Sequence, residues 1–248
     1  MAGTAAKKLR AGRARFVEAG RVGESSREVF IASCGKIAAS LRADGFSYAQ
    51  SGPRLARKIG DFTTRVSFHT SPLNVSGELV ELWIQANVYS RRLALWRAAQ
   101  PRPLRTDDAV TGGQLGNLLP QASWMEWNLA HHATREEQIT DAVTTIRQIA
   151  FPFFAQFEDV SALCSRLVKS DLPSFEMPVP IEFLLCFAGR TEAEVCLHRF
   201  LQQHPDIQAE FRDELKRVRK SGLPEARHSG HAVVLAYATY AYDLTPRK

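Results

Sequence analysis

The sequence predicts an α+β fold: an N-terminal helix, an antiparallel meander sheet of about five strands with one face covered by helices, and a mostly helical C-terminal third. Three observations predict it. Phe30, Cys34, Ile37 and Leu41 recur at helical spacing near the start. Residues 62–68 and 80–89 alternate apolar and polar side chains, the period of a half-buried strand. Beyond Thr134 the alternation stops and capping signals followed by apolar stripes take over.

Taken in order, Ser25-Ser26-Arg27-Glu28 is a capping box with Ser25 as N-cap, so 27–43 is an amphipathic helix that ends at Asp44-Gly45. Phe46 to Gln50 starts the first strand, and Ser51-Gly52-Pro53 turns the chain into a second, Arg54 to Ile59. Gly60-Asp61 is a two-residue hairpin signal. Phe62, Thr64, Val66 and Phe68 then alternate with Thr63, Arg65, Ser67 and His69. After a loop from Pro72 to Gly77, Val80, Leu82, Ile84, Ala86 and Val88 alternate with Glu81, Trp83, Gln85, Asn87 and Tyr89. Such a strand commits one face to a core and leaves the other outward.

Residues 91–99 suit a short helix and 100–111 a proline- and charge-rich loop. Gly112, Gly113 and Gly116 read as a corner, followed by a last strand from Trp124 to Leu129. Thr134 with Glu137 forms a second capping box, for a helix that Pro152 stops. Helices follow over 159–169, 180–188, 192–203 (capped by Thr191 with Glu194) and 206–220, the last ended by Gly222. Residues 232–244 fit either period, and their alanines tip them to helix.

The chain of 248 residues is long enough to bury a substantial core. It divides into a basic, flexible arm over 1–24, an α+β sheet domain over 25–165 and a helical extension over 166–248 packed on it. The formal charge of +6 is concentrated: Lys7, Lys8, Arg10, Arg13, Arg15, Arg21 and Arg27 face only Glu18 and Glu24 within residues 1–27. The body is close to neutral. A basic tail of this kind can contact nucleic acid or simply keep the chain solvated. No apolar run approaches the roughly 20 residues that span a bilayer, and Cys34, Cys164, Cys186 and Cys196 form no CxxC pair. The expectation is a cytoplasmic protein with reduced, mostly buried thiols and no membrane partner.

Known catalytic patterns are not matched. The glycines of Gly112-Gly113…Gly116 lack the lysine and hydroxyl of a phosphate loop, and a strand rather than a helix follows them. His131-His132 with Glu136 and Glu137, and His228 with His231, lack a second ligand pair at metal-binding spacing. There is no GxSxG elbow. No cofactor and no metal are expected. The informative surface is the outward face of the sheet, from which Lys58, Arg65, His69, Trp83, Gln85, Asn87 and Tyr89 should project. Tryptophan, tyrosine and arginine dominate binding hot spots. These side chains either form an interaction surface or lie under the chain's own loop 100–122 or its C-terminal segment.

The order "LRADGFSYAQSGPRLARKIGD", "RVSFHTSP", "ELWIQANVYSRRLALWR", "GGQLGNLLP…WMEW" and "AFPFFAQFEDV" resembles the bacterial domain-of-unknown-function family 4304 over residues 27–165. The resemblance implies a helix leading into an antiparallel sheet and a non-catalytic role. Some members lie beside bacterial polymorphic toxins, which implies an immunity protein that binds and neutralises a cognate toxin. The partner-binding residues expected, from the outward face of the sheet rather than from the resemblance, are Lys58, Arg65, His69, Trp83 and Tyr89. Two other functions remain open: nucleic-acid binding through residues 1–27, and an enzyme whose site is assembled only by the fold.

Overall fold

A computed structural model describes residues 24–224 and 230–246. Almost all of the basic arm, and with it the nucleic-acid expectation for residues 1–27, lies outside the described residues, as does His228.

Helix α1 (Ser26–Ser40) starts where its capping box requires. Ser25 Oγ accepts from the Glu28 N–H at 3.2 Å, and the Glu28 carboxylate accepts from the Ser25 N–H at 2.8 Å. Its buried stripe includes Phe30, Cys34 and Ile37. Gly45, at φ +84°, turns the chain into the sheet. Strands β1 (Ser47–Ala49), β2 (Arg54–Ile59), β3 (Phe62–His69), β4 (Glu81–Ser90) and β5 (Ala109–Gln114) form an antiparallel meander in that order. Ile59 pairs with Phe62, so Gly60-Asp61 is the two-residue turn that the sequence predicts. A short strand β6 (Trp127–Asn128) pairs with the start of β4.

Alternation sorts the sheet into two faces. Phe62, Thr64, Val66 and Phe68 of β3 and Leu82, Ile84, Ala86 and Val88 of β4 are buried on one of them. Helices close this face, and aromatic rings fill the gap: Phe62 lies 5.1 Å from Phe157 and 6.0 Å from Phe183, and Phe46 stacks on Phe151 at 5.5 Å. After α2 (Arg91–Ala98), the helices are α3 (His132–Thr145), α4 (Phe151–Ala155), α5 (Val160–Lys169), α6 (Val179–Phe187), α7 (Arg190–Gln203), α8 (Gln208–Ser221) and α9 (His231–Ala241). Residues 232–241 are therefore helical, and seven of them, from Ala232 to Ala241, are buried. A helix buried on nearly all sides has no polar stripe, which is why its sequence shows no clear period.

Local signals are overridden at five places. Gly112 and Gly113 are not a corner; they lie within β5. Gly112 has φ +152°, and a Cβ there would sit 2.3 Å from Asn87 Oδ1 and 2.4 Å from the Ala86 carbonyl oxygen. The glycine lets two strands approach rather than turning the chain. The corner is the 3₁₀ turn Leu115–Leu118 that follows. The strand expected over 124–129 contracts to Trp127–Asn128. Gln114 lies opposite Gln85 and Trp127 opposite Leu82, so residues 115–126 are an excursion spanning three positions of β4.

Helix α3 begins at His132, ahead of Thr134, because Asn128 ends the strand early: its Oδ1 accepts from the N–H groups of Val80 and Ala130, both at 3.0 Å. Pro152 does not stop the helical path. A wider π-turn, Ile146–Ala150, precedes it, and burial of Phe153, Phe154 and Phe157 carries the chain on. Thr191 does not cap α7. Gly189, at φ +138°, is the N-cap, and Glu194 is instead engaged by the Thr245 N–H at 3.1 Å. Among the described residues, no helix is long and apolar enough to cross a membrane.

Candidate functional site

Strand register places the expected binding residues on one surface. Reading across β2, β3 and β4, Lys58 lies beside Thr63 and Tyr89, Ala56 beside Arg65 and Asn87, and Arg54 beside Ser67 and Gln85. His69 lies opposite Trp83. All five residues, Lys58, Arg65, His69, Trp83 and Tyr89, therefore point away from the core, because partners in an antiparallel pair share a face. Lys58 is exposed and the other four are half-buried.

Two preformed clusters occupy this face. At one end the His69 and Trp83 rings stack with centroids 4.1 Å apart and planes 13° from parallel. Trp124 joins them at 5.3 Å from Trp83. At the other end the Arg65 guanidinium lies 4.3 Å from the centre of the Tyr89 ring. Beside Tyr89 a cleft of about 240 Å³ opens toward Arg105, Ser174, Glu176 and Met177.

The chain's own cover is partial, and it comes from residues 115–126, which overlap the loop 100–122 and run slightly past it. Gln114, on this face, is buried beneath the excursion 115–126: its Oε1 accepts from the Gly116 N–H at 2.7 Å and its amide donates to the Met125 carbonyl. The excursion delivers Trp124, which is still 57% exposed. Arg54 and Trp124 were not among the expected site residues. The alternation of β2 signals Arg54, since it lies four residues from Lys58 on the same face. Nothing local signals Trp124, whose place depends on how the excursion folds back.

Burial lowers the His69 pKa from its ordinary value, against a smaller opposing effect of its hydrogen bond with Gln85. The ring is held largely neutral, which suits stacking on an indole. Its buried Nε2 has no hydrogen-bond partner, and neither has the buried Nε of Arg65. Arg54, Lys58 and Arg65 form no ion pair among the described residues, whereas Arg92, Arg105, Arg135, Arg147 and Arg199 each meet a carboxylate within 4.0 Å.

The remaining reactive side chains are placed differently. His131 and His132 are exposed at the start of α3, and His231 is exposed at the start of α9. Among the described residues, no three His, Cys, Asp or Glu side chains are grouped to hold a metal ion. Burial pushes the Cys34 thiol up to about 12 and the Cys164 thiol up to about 11, and also raises Cys186 and Cys196. A fully buried pair, Arg97 with Glu182, joins α2 to α6, and the Tyr242 hydroxyl donates to the same carboxylate. These groups are closed off from solvent and tie helices together.

Comparison with known protein families, with curated proteins and with solved structures found no match to this chain.

Proposed function

We propose that this protein acts by binding rather than by catalysis, receiving a protein partner on the outward face of its sheet. The observation that carries the reading is the preformed array on that face: Arg65 held over Tyr89 at 4.3 Å, and His69 stacked on Trp83 at 4.1 Å with Trp124 beside it. Side chains already locked by stacking lose little rotamer entropy on association, so more of each contact appears as affinity. A regular sheet with fixed register holds them at fixed spacing, and Trp, Tyr and Arg are the types that anchor interfaces.

The resemblance to domain-of-unknown-function family 4304 supplies the partner class: a cognate toxin, neutralised by occlusion. The rigid face covers the toxin's working surface, and no bond is made or broken. Trp83→Ala and Arg65→Ala should each weaken partner binding by about 2 kcal/mol or more, the size expected of hot-spot residues. The test is co-expression with the products of neighbouring genes, scored by growth. Wild-type chain should rescue cells from one of them, and a folded Arg65→Ala, Trp83→Ala double variant should not. Full rescue by that variant, or toxicity that wild-type chain never relieves, rejects the reading.

A further inference from the structure

We propose that this face is built for an acidic protein surface, with Arg65 as the carboxylate anchor; the inference rests on the binding role proposed above and names the partner's chemistry. Between Arg54 and Tyr89 the outward positions hold three cations, Arg54, Lys58 and Arg65, and no carboxylate until Glu81 at the far start of β4. No acidic residue of the chain is supplied to these cations among the described residues, although arginines elsewhere are paired, as Arg147 is with Asp44 at 3.0 Å. These three cations are therefore unpaired within the described fold, and the carboxylates bordering the face are Glu176, in the cleft beside Tyr89, and Glu126, which accepts from Trp124 Nε1 at 3.0 Å.

Arg65 is the best placed of the three. Its guanidinium carbon lies 4.3 Å from the centre of the Tyr89 ring, and no carboxylate among the described residues pairs with it, so the planar group can offer two parallel bonds to one carboxylate. Its buried Nε has no acceptor among the described residues, and a carboxylate would reach that donor only with a shift of the side chain. Arg54 and Lys58 flank it on β2 and extend the cationic strip along the sheet.

The same residue types could suggest a platform for single-stranded nucleic acid, but such a platform needs free ring faces on which bases stack. Here the rings are already engaged: Trp83 by His69 at 4.1 Å and Trp124 at 5.3 Å, Tyr89 by Arg65 at 4.3 Å. Each ring thus has a partner within the chain, and the cations beside the rings suit the side chains of an acidic protein.

The full chain is titrated with poly-L-glutamate and, separately, with oligodeoxythymidylate of matched charge, following tryptophan emission, to which Trp83 and Trp124 on this face contribute alongside Trp96 and Trp127. Polyglutamate should bind more tightly, with affinity falling as salt rises. Arg65→Glu should weaken it at least tenfold, Arg65→Lys several-fold, and Arg219→Glu, an equal charge change on exposed α8, hardly at all. Circular dichroism verifies that each variant is folded, and Arg65→Lys keeps the test decisive if charge reversal disturbs the sheet. Oligonucleotide binding that Arg65→Glu weakens more than it weakens polyglutamate binding, equal loss in Arg219→Glu, or no binding of either polymer overturns the inference. The growth assay separates the two proposals. Rescue by a chain that ignores polyglutamate rejects only the acidic partner. Polyglutamate binding without any rescue rejects only toxin neutralisation.

Discussion

Replacing Glu182 by glutamine should cost this protein about 3 kcal/mol or more of stability, the penalty for leaving a buried charge without its partner. Arg97 and Glu182 are both 0% exposed. Arg97 Nε donates to Glu182 Oε2 at 2.8 Å, and Nη2 lies 2.6 Å from the same oxygen, off the hydrogen-bonding angle. Arg97 Nη1 donates to the carbonyls of Asp107 and Ala109, both at 2.8 Å, so the pair also fixes the start of β5. The other carboxylate oxygen accepts the Tyr242 hydroxyl at 2.7 Å. Burial, and then the Glu182 charge, push that phenol well above its usual range, so it stays a donor. Glutamine keeps the volume of the side chain and removes the charge, leaving the buried guanidinium with two carbonyls and the half-exposed Asp107 carboxylate 3.6 Å from Nη1. Loss of a buried partner costs about 3–5 kcal/mol, and the two carbonyls hold the expected value to the lower end. Tyr242→Phe removes one bond to a charged group and should cost about 1.5–3 kcal/mol. Urea unfolding measures both, as a fall in midpoint with unchanged slope. A loss below about 1 kcal/mol for Glu182→Gln would refute the claim that a dry ion pair locks α2, α6 and the C-terminal segment together.

Three further outcomes follow from the same geometry. Gly112→Ala should destabilise the fold by about 2 kcal/mol or more, since its Cβ would meet Asn87 Oδ1 at 2.3 Å and the glycine occupies φ +152°; thermal melting that matches wild type would reject the close-approach account. His69 has a folded pKa below its ordinary 6.5, so its neutral form is favoured by the fold. That contribution is complete above about pH 6.5 and is lost as the pH falls through the lower folded value. The urea midpoint of wild type should accordingly fall more between pH 7.5 and pH 5 than that of His69→Gln, and parallel profiles would reject it. Cys34 and Cys196 are 0% exposed with raised thiol pKa values, so a disulfide reagent at pH 8 should label them only on unfolding; rapid labelling of either in the native protein would contradict this.

Elements set by neighbours in sequence were legible. The box of Ser25 and Glu28 needs only four residues, and the α1 start matches it. The Gly60-Asp61 turn and the alternation of β3 and β4 likewise express local sterics and a period of two, and they fix which side chains share a face. That is why Lys58, Arg65, His69, Trp83 and Tyr89 could be assigned to one surface from sequence. Thr134, Thr191 and Pro152 carry equally clear signals that the fold overrides. The end of β6, the engagement of Glu194 with Thr245 and the burial of three phenylalanines each outweigh a cap or a break of about 1–3 kcal/mol.

Periodicity and turn chemistry act within a few residues, and they suffice for the α+β class, the meander and the two-sided character of its central strands. What lies on the outward face depends on long-range packing. It folds residues 115–126 back so that Trp124 meets Trp83, tilts Arg65 over Tyr89, and joins Arg97 to Glu182 across 85 positions of sequence. It also shows Gly112 to be a point of strand contact rather than a corner. Each of these depends on groups distant in the chain being brought within a few ångströms, and that distance is set by the packing of the whole core, which no local pattern encodes.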